Sequence, residues 1–213
     1  MLNHYFTVKL EGSDEQVIQK SRFIGYVKRV TSEDEAQQFI QAIKKKHADA
    51  THNCSAYMIG EHDQIQKAND DGEPSGTAGV PILEVLKKRQ LKDTAVVVTR
   101  YFGGIKLGAG GLIRAYSSTT SLAINTTGVV ERKRMKKFIV TVDYTLLGKL
   151  ENELRQSDYL LEGTEYLDKV TFHVRTLVGE EDGFSDWITD LTSGNVDLKK
   201  GENSYIEVDV STE

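Results

Sequence analysis

The stretch from Thr94 to Arg114 limits the choice of fold more than any other part of the chain. Residues 94–99 read Thr-Ala-Val-Val-Val-Thr, a β-branched, apolar run that is typical of a buried central strand. Five glycines then fall within the nine residues Gly103–Gly111, and an apolar helical pattern follows over Leu112–Asn125. The sequence therefore predicts a strand, a glycine-rich loop and a helix in succession, inside a domain that combines sheet and helices.

Strand and helix patterns also precede this stretch. Phe6–Leu10 alternates apolar and polar residues, which predicts a strand with one buried face. Ser21–Val30 has apolar residues at both odd and even positions, which predicts a strand buried on both faces. Ser32 and Glu35 have capping-box spacing, and the apolar helical stripe that follows them ends near His47. Further predicted elements are a strand at Cys54–Gly60, a hairpin turn at Asp63–Gln64 and a helix whose first turn holds Pro81.

The last 79 residues show six elements in the order strand, helix, strand, strand, helix, strand, which is the ferredoxin-like plan. The predicted elements are Phe138–Asp143, Leu146–Gln156, Tyr159–Tyr166, Lys169–Val178, Phe184–Ser193 and Tyr205–Val210. Gly128 and the basic residues 132–134 indicate the exit from the preceding domain. We therefore predict an α+β protein with domains 1–134 and 135–213, each long enough to bury its own core.

Charge differs strongly between the two predicted domains. Residues 1–134 carry 19 Lys and Arg against 15 Asp and Glu, whereas residues 135–213 carry 8 against 17. Net charges of +4 and −9 make an anionic partner such as RNA more plausible for the first domain than for the second.

Several classes of protein are disfavoured by composition. Cys54 is the only cysteine, so no intramolecular disulfide forms, and a reducing cytoplasm is the expected location. No apolar run approaches the roughly 18 residues that a membrane span requires, and Met1–Leu10 lacks the residue order of a secretory signal. We expect a soluble cytoplasmic protein with no membrane partner.

The glycine-rich stretch also has the chemistry of an anion site. Backbone N–H groups at a glycine turn that enters a helix can face an anion, and the helix dipole adds to the attraction. The residues predicted to contact an anion or nucleic acid are Arg22, Arg100, Tyr101, Gly103, Gly104, Lys106, Gly108, Gly110, Gly111 and Arg114. The pattern is neither a Walker loop nor the dinucleotide motif G-x-G-x-x-G. The alternative is a tight strand-to-helix turn with solvated cations.

Tyr101 and Phe102 are adjacent aromatic residues at the end of the predicted central strand. Because neighbouring strand residues face opposite ways, one ring is expected in the core and the other at the surface, where it can stack on a base.

An acidic loop precedes the predicted helix at Pro81. Asp70, Asp71, Glu73, Ser75 and Thr77 are expected to shape a pocket, or to pair their acids with Arg100, Lys106 or Arg22. The alternatives are a hard metal or acid–base catalysis, but the spacing lacks a calcium-loop pattern and neither hydroxyl has an identifiable base. His47, His52 and Cys54 lack the second ligand pair of a zinc site. We predict no catalytic residue, no metal and no cofactor.

Two motifs together resemble the signature of the IMPACT/YigZ family. They are Asp70–Gly79 and Val98–Gly108, supported upstream by Lys20–Ile24, and the resemblance covers the whole chain. It implies a first domain with the ribosomal-protein-type βαβ fold, also found in GHMP kinases and domain IV of elongation factor G. It also implies a ferredoxin-like second domain similar to domain V of that factor. The resemblance further implies a link to translational control, since eukaryotic members of the family bind a protein partner and thereby spare a stress kinase from activation.

Three functions follow as hypotheses. The first is a non-enzymatic cytosolic regulator whose first domain contacts RNA or the ribosome, while the acidic domain assists a contact with a protein partner. The second is an enzyme or binding protein for a phosphorylated or nucleotide-like small molecule, and the third is a protein-interaction module. Kinase activity is not carried over from the GHMP fold, because its Gly-Leu-Gly-Ser-Ser loop has no counterpart in the Gly-Ala-Gly-Gly run that starts at Gly108.

Overall fold

The computed structural model describes residues 1–210 as an α+β protein with two five-stranded sheets. The chain divides into two compact units. The first comprises Met1, Tyr5–Glu131 and residues 208–210, and the second comprises Leu2–His4 and Arg132–Glu207.

The first part of the chain, up to residue 127, holds six strands and three helices among the described residues. They are β1 (His4–Val8), β2 (Glu11–Ile18), β3 (Ser21–Arg29), α1 (Glu33–Lys46), β4 (His52–Ile59), β5 (Ile65–Asn69), α2 (Gly79–Lys88), β6 (Thr94–Tyr101) and α3 (Gly108–Thr127). The first sheet has the strand order β2-β3-β6-β4-β5, with antiparallel pairing throughout. The prediction of a buried central strand at 94–99 is therefore confirmed by β6.

This sheet is covered on both faces. Phe23 and Val27 of β3 pack in one core with residues of α2 and α3, while Ile24 and Tyr26 pack in a second core with α1. The two-faced apolar pattern of Ser21–Val30 reflects this burial. Helix α1 begins as predicted, because the Ser32 hydroxyl accepts a hydrogen bond from the Glu35 backbone N–H.

Strand β2 was absent from the sequence-based prediction. Its half-buried positions include polar residues, so no apolar alternation marks it. Two of them bond to side chains of α3: Gln16 Nε2 donates to the hydroxyls of Ser118 and Thr119, and the Thr126 hydroxyl donates to Asp14. This edge strand packs on a helix through polar side chains, so its sequence lacks the apolar alternation that would predict a strand.

The predicted loop over Gly103–Gly111 is too long. Helix α3 begins at Gly108, so its first turn contains three of the five glycines. Glycine disfavours helix by about 1 kcal/mol relative to alanine, which is why the sequence favoured a loop. The 20-residue helix packs against β2, β3 and α2, and this tertiary contact extends it through the glycines.

The rest of the described chain continues through β7 (Val129–Val142), a short 3-10 helix (Tyr144–Leu146), α4 (Leu147–Gln156), β8 (Leu160–Tyr166), β9 (Val170–Leu177), α5 (Glu181–Leu191) and β10 (Asp197–Val210). The second sheet has the order β1-β7-β9-β8, and β10 also pairs with β7. The sequence from β7 to β10 has the predicted strand–helix–strand–strand–helix–strand order, with a core that includes Phe138, Phe172 and Phe184. The predicted domain boundary after residue 134 falls inside β7. Kinship of the two domains to elongation factor G and to GHMP kinases stays a prediction.

Among residues 1–210, no helix combines the length and the apolar character needed to cross a bilayer.

Candidate functional site

Arg100 lies near the end of β6 with its guanidinium inside the first unit. Its side chain is 6% exposed, and Nη1 donates to Oε1 of Glu73 over 2.6 Å. Nη2 lies 3.4 Å from the Ser21 hydroxyl, and Nε is buried without a hydrogen-bond partner among the described residues. The guanidinium carbon lies 5.3 Å and 5.4 Å from the ring centroids of Phe23 and Phe102. Arg100 is thus held between two aromatic rings and a carboxylate.

Glu73 is the centre of a buried polar cluster. Its Oε1 also accepts a hydrogen bond from the Tyr116 hydroxyl over 2.8 Å, and its Oε2 lies 3.7 Å from His52 Nε2. The Cys54 thiol donates to the Tyr116 hydroxyl oxygen over 3.3 Å and lies 3.0 Å from the Asp70 carbonyl oxygen. Burial raises the pKa of the Cys54 thiol and of the Tyr116 hydroxyl, so both keep their protons near neutral pH. We call Glu73, Arg100, Tyr116, His52 and Cys54 the Glu73 cluster.

The strand register explains how the cluster assembles. Arg100 on the central strand lies opposite Phe23 of β3 on one side and His52 of β4 on the other. Tyr116 reaches the same point from α3, and Glu73 from the acidic loop. Tyr116, His52 and Cys54 had no predicted role in this cluster, because the pairing register that unites them is a tertiary property.

Asp70 organises the acidic loop through backbone contacts. Its Oδ1 accepts hydrogen bonds from the N–H groups of Ala78 and Gly79 over 3.1 and 2.8 Å, and its Oδ2 accepts from Gly76 over 2.8 Å. Burial alone would raise the pKa of this carboxyl, but the three N–H donors outweigh it and the pKa lies below its usual value. Asp70 thereby supplies the side-chain acceptor that the N-cap residue of α2, Ala78, does not provide.

Asp71 fixes the loop to its neighbours. Lys44 of α1 donates to Oδ1 over 2.6 Å, and the Asn53 backbone N–H donates to Oδ2 over 2.6 Å. The Asp71 carbonyl oxygen accepts from His52 Nδ1 over 2.8 Å, which places the proton of a neutral ring on Nδ1.

The five predicted pocket-shaping residues have different surroundings. Glu73 pairs with Arg100, one of the three cations considered for these acids, whereas Arg22 pairs with Glu15 at the surface. Thr77 is buried and its hydroxyl donates to the Pro74 carbonyl oxygen over 2.6 Å, while Ser75 is exposed. The carboxylates of this loop are therefore occupied by hydrogen bonds within the protein.

A second feature, which we call the basic tip, consists of Phe102, Lys106, Arg114 and the first turn of α3. Lys106 and Arg114 are exposed, and neither side chain makes a hydrogen bond or ion pair within residues 1–210. Helix α3 has no side-chain cap, and no acidic residue lies in its first turn. Its leading backbone N–H groups therefore lie beside two cations.

The glycines in and beside the basic tip differ in their surroundings. Gly103 passes so close to β3 that a Cβ there would lie 1.9 Å from the Lys20 carbonyl oxygen. Gly104 and Gly108 have positive φ angles of 88° and 70°, and the space around them is open. Gly110 and Gly111 lie in the first turn of α3.

Tyr101 belongs to a hydrogen-bonded chain, and the exposed ring of the aromatic pair is Phe102. The Tyr101 hydroxyl donates to Asp49 over 3.1 Å and accepts from His47 Nδ1 over 2.9 Å. The Tyr26 hydroxyl in turn donates to His47 Nε2 over 2.6 Å. Phe102 is 46% exposed. Phe102 is thus the more exposed ring of the pair, whereas Tyr101, which the sequence predicts at the site, is half-buried with its hydroxyl bound within the protein.

Two family models match this chain, one in its first part and one in its second. The family model described as the Impact N-terminal domain matches residues 19–124, and the model described as a domain of unknown function (DUF1949) matches residues 140–195. The IMPACT family member YvyE of Bacillus subtilis (strain 168) is 62% identical over 207 residues, which cover 97% of this chain and 95% of the relative. The chain belongs to the IMPACT family. The resemblance read from the two motifs is confirmed.

Other IMPACT family relatives extend this similarity. YigZ of Escherichia coli (strain K12) is 32% identical over 85% of this chain and 90% of its own length. Protein IMPACT of Rattus norvegicus is 35% identical over 42% of this chain and 29% of the rat protein. A solved structure described as a hypothetical protein superposes with a TM-score of 0.60 at 28% identity, covering 93% of this chain and 97% of that one. The Glu73 cluster and the basic tip both lie within the residues matched by the Impact N-terminal domain.

Proposed function

We propose that the first unit binds single-stranded RNA, alone or within the ribosome, and that this IMPACT family member is a non-enzymatic regulator of translation in the cytoplasm. The observation that carries the proposal is the basic tip: an uncapped helix N-terminus beside an exposed phenyl ring and two cations that have no partner among residues 1–210. The expected link of the family to translational control supports the same reading.

Each part of the tip matches one part of a polynucleotide. Backbone N–H groups at the start of α3 and the positive end of its dipole attract a phosphate. Lys106 and Arg114 are free to neutralise further phosphates and release counterions. Phe102 offers a face on which any base can stack, so the preference for sequence is expected to be weak.

Arg100 is expected to hold the basic tip in place and not to contact RNA itself. Its guanidinium is buried and bound to Glu73, so direct contact with a phosphate would break that pair. The Glu73 cluster instead holds the end of β6, from which the chain continues into the basic tip. Arg22 stays among the proposed contacts, because its exposed pair with Glu15 is weak in water.

The alternative of an enzyme for a phosphorylated small molecule gains no support from the acidic loop. Asp70, Asp71 and Glu73 each accept hydrogen bonds from protein donors. A general base must reach the proton that it abstracts, so each of these carboxylates would have to give up a hydrogen bond to act as one.

Fluorescence anisotropy with a labelled uridine oligomer of about 16 nucleotides tests the proposal. Wild type should bind at low salt, and Lys106→Ala with Arg114→Ala should reduce the slope of log K against log salt by about 1.4, since each lost phosphate contact contributes about 0.7. Lys45→Ala with Lys88→Ala removes two exposed cations elsewhere in the same unit and is the matched control.

Failure of wild type to bind the oligomer at low salt, together with failure to co-sediment with ribosomes, would contradict the proposal. An equal loss of affinity in the control pair would show that net charge, and not the tip, drives the binding.

A further inference from the structure

Strand β8 forms an open edge of the second sheet. Within residues 1–210 it pairs only with β9, from Leu160 opposite Arg175 to Tyr166 opposite Val170. The pairing slips between Leu161 and Gly163, and a Cβ at Gly163 would meet no atom within 4 Å. The outer side of β8 therefore presents main-chain donors and acceptors that no described strand uses.

A groove runs beside this edge. It has a volume of about 510 Å³ and lies between α4 and β8, with Leu154 and Arg155 on the helix side and Leu161 and Thr164 on the strand side. Leu160 and Tyr166 at the two ends of β8 are 40% and 55% exposed. An added strand would find both hydrogen-bonding groups and apolar side chains here.

The charge of this region selects the partner. Residues 151–168, which span most of α4 and all of β8, contain six Asp or Glu and a single Arg. The two glutamates on β8 itself pair with Arg175 and His173 of β9, so the unpaired carboxylates lie outside the strand. Asp158 and Asp168 flank β8 at its two ends, and neither side chain makes a hydrogen bond or ion pair within residues 1–210. A segment that lies along β8 therefore gains from positive charge.

We infer that β8 is the docking edge for an extended, Lys- or Arg-rich peptide segment of a partner protein, which adds to the second sheet as a further strand beside the α4 groove. Main-chain hydrogen bonds to β8 supply affinity, and the flanking carboxylates select basic sequences.

Two other occupants fit less well. RNA carries the same sign of charge as this surface and is repelled by it. A second copy of the chain would place one acidic β8 against another, which like charges oppose.

The test uses the full chain and a fluorescein-labelled octapeptide of alternating Lys and Val. One comparison peptide carries Glu in place of each Lys, and another carries Pro in place of each Val, so that it keeps the charge but cannot pair as a strand. We expect the Lys-Val peptide to bind at least about tenfold more tightly than either. Amide hydrogen exchange of Leu160–Tyr166 should slow in its presence.

Matched charge reversals locate the site. Asp158→Lys with Asp168→Lys should weaken binding of the Lys-Val peptide by about tenfold or more, because both changes lie at the ends of β8. Asp186→Lys with Asp190→Lys changes the net charge equally on α5 and should leave most of the affinity intact.

Three outcomes would overturn the inference. They are equal binding of the Pro peptide, protection of amides outside β8 only, and a concentration-dependent dimer whose β8 amides are protected without peptide. The last result would assign the edge to a second copy of the chain.

Discussion

Arg100 and Glu73 join the two sequence motifs of the family in one buried ion pair, with 2.6 Å between Nη1 and Oε1. Arg100 comes from the strand that leads into the glycines, and Glu73 comes from the acidic loop. Tyr116 donates to the same carboxylate oxygen, so helix α3 is part of the contact. The position of the basic tip relative to the acidic loop depends on this pair.

Glu73→Gln is expected to destabilise the first unit by about 3–5 kcal/mol, because it leaves the buried guanidinium of Arg100 without a counter-charge. Guanidinium unfolding at pH 7, followed by far-UV circular dichroism, measures the change. Glu84→Gln removes an exposed carboxylate that pairs with Lys87 and should change stability by less than about 0.5 kcal/mol. Similar losses in the two variants would show that burial of the pair has no energetic weight.

Replacing both partners with apolar residues provides the complementary test. Glu73→Leu combined with Arg100→Met should recover most of the stability lost in Glu73→Gln, since no buried charge is left unpaired. RNA affinity of this double variant should stay near the wild-type value if Arg100 acts only by support.

Asp70→Asn is expected to cost about 1 kcal/mol at pH 7, because a carboxylate that accepts three backbone hydrogen bonds is replaced by an amide. The folded-state pKa of Asp70 lies below its ordinary value of 3.8. The contribution is therefore complete above about pH 5 and is lost as the pH falls through the folded-state pKa. Urea midpoints measured from pH 7 to pH 2.5 should converge for wild type and variant at the acid end; a constant difference would contradict this assignment.

His47 should make the stability of the first unit depend on pH in a higher range. Burial and the neighbouring Lys46 lower the pKa of its imidazole, while Asp49 opposes them. The unfolded chain then takes up a proton near pH 6.5, before the folded chain does, so stability falls as the pH drops below that value. His47→Gln should flatten the curve of unfolding free energy between pH 7 and 5, and His62→Gln, at an exposed histidine, should not. Parallel curves for wild type and His47→Gln would refute the role of His47.

Secondary structure was predicted correctly where the apolar pattern of the sequence matches the residues that are buried. The β-branched run at 94–99 and the six-element order of the second unit are visible in composition and period, because apolar side chains there meet a core. The sequence did not predict strand β2, because its inner face contacts α3 through the polar residues Asp14 and Gln16. The sequence also did not predict the start of α3 at Gly108, because packing of the helix overrides the low helix propensity of glycine.

The sequence indicates the motifs from which the candidate site is built, but not how the fold brings their residues together. Both motifs lie at the site, but the sequence does not reveal that β6 places Arg100 between Phe23 and His52. Arg100, which the sequence predicts as an anion contact, is buried and paired with Glu73. Likewise, only the structure distinguishes the exposed ring of Phe102 from Tyr101, whose hydroxyl is bound to His47 and Asp49.

Two glycine substitutions separate fold from function at the basic tip. Gly103→Ala would place a Cβ 1.9 Å from the Lys20 carbonyl oxygen, so the backbone at these two positions must move apart and a loss of about 3 kcal/mol is expected. Gly110→Ala lies in the first turn of α3, where the nearest atom to the new Cβ is Arg114 Nη1 at 3.6 Å. Here alanine should stabilise the helix by up to about 1 kcal/mol.

RNA binding by Gly110→Ala then tests how closely a phosphate approaches α3. If the backbone of the first turn touches phosphate, the added methyl group should weaken binding of the uridine oligomer while the melting temperature rises. Stability and affinity moving in opposite directions cannot arise from misfolding, which lowers both. A rise in stability with unchanged affinity would restrict the RNA contact to the side chains of Phe102, Lys106 and Arg114.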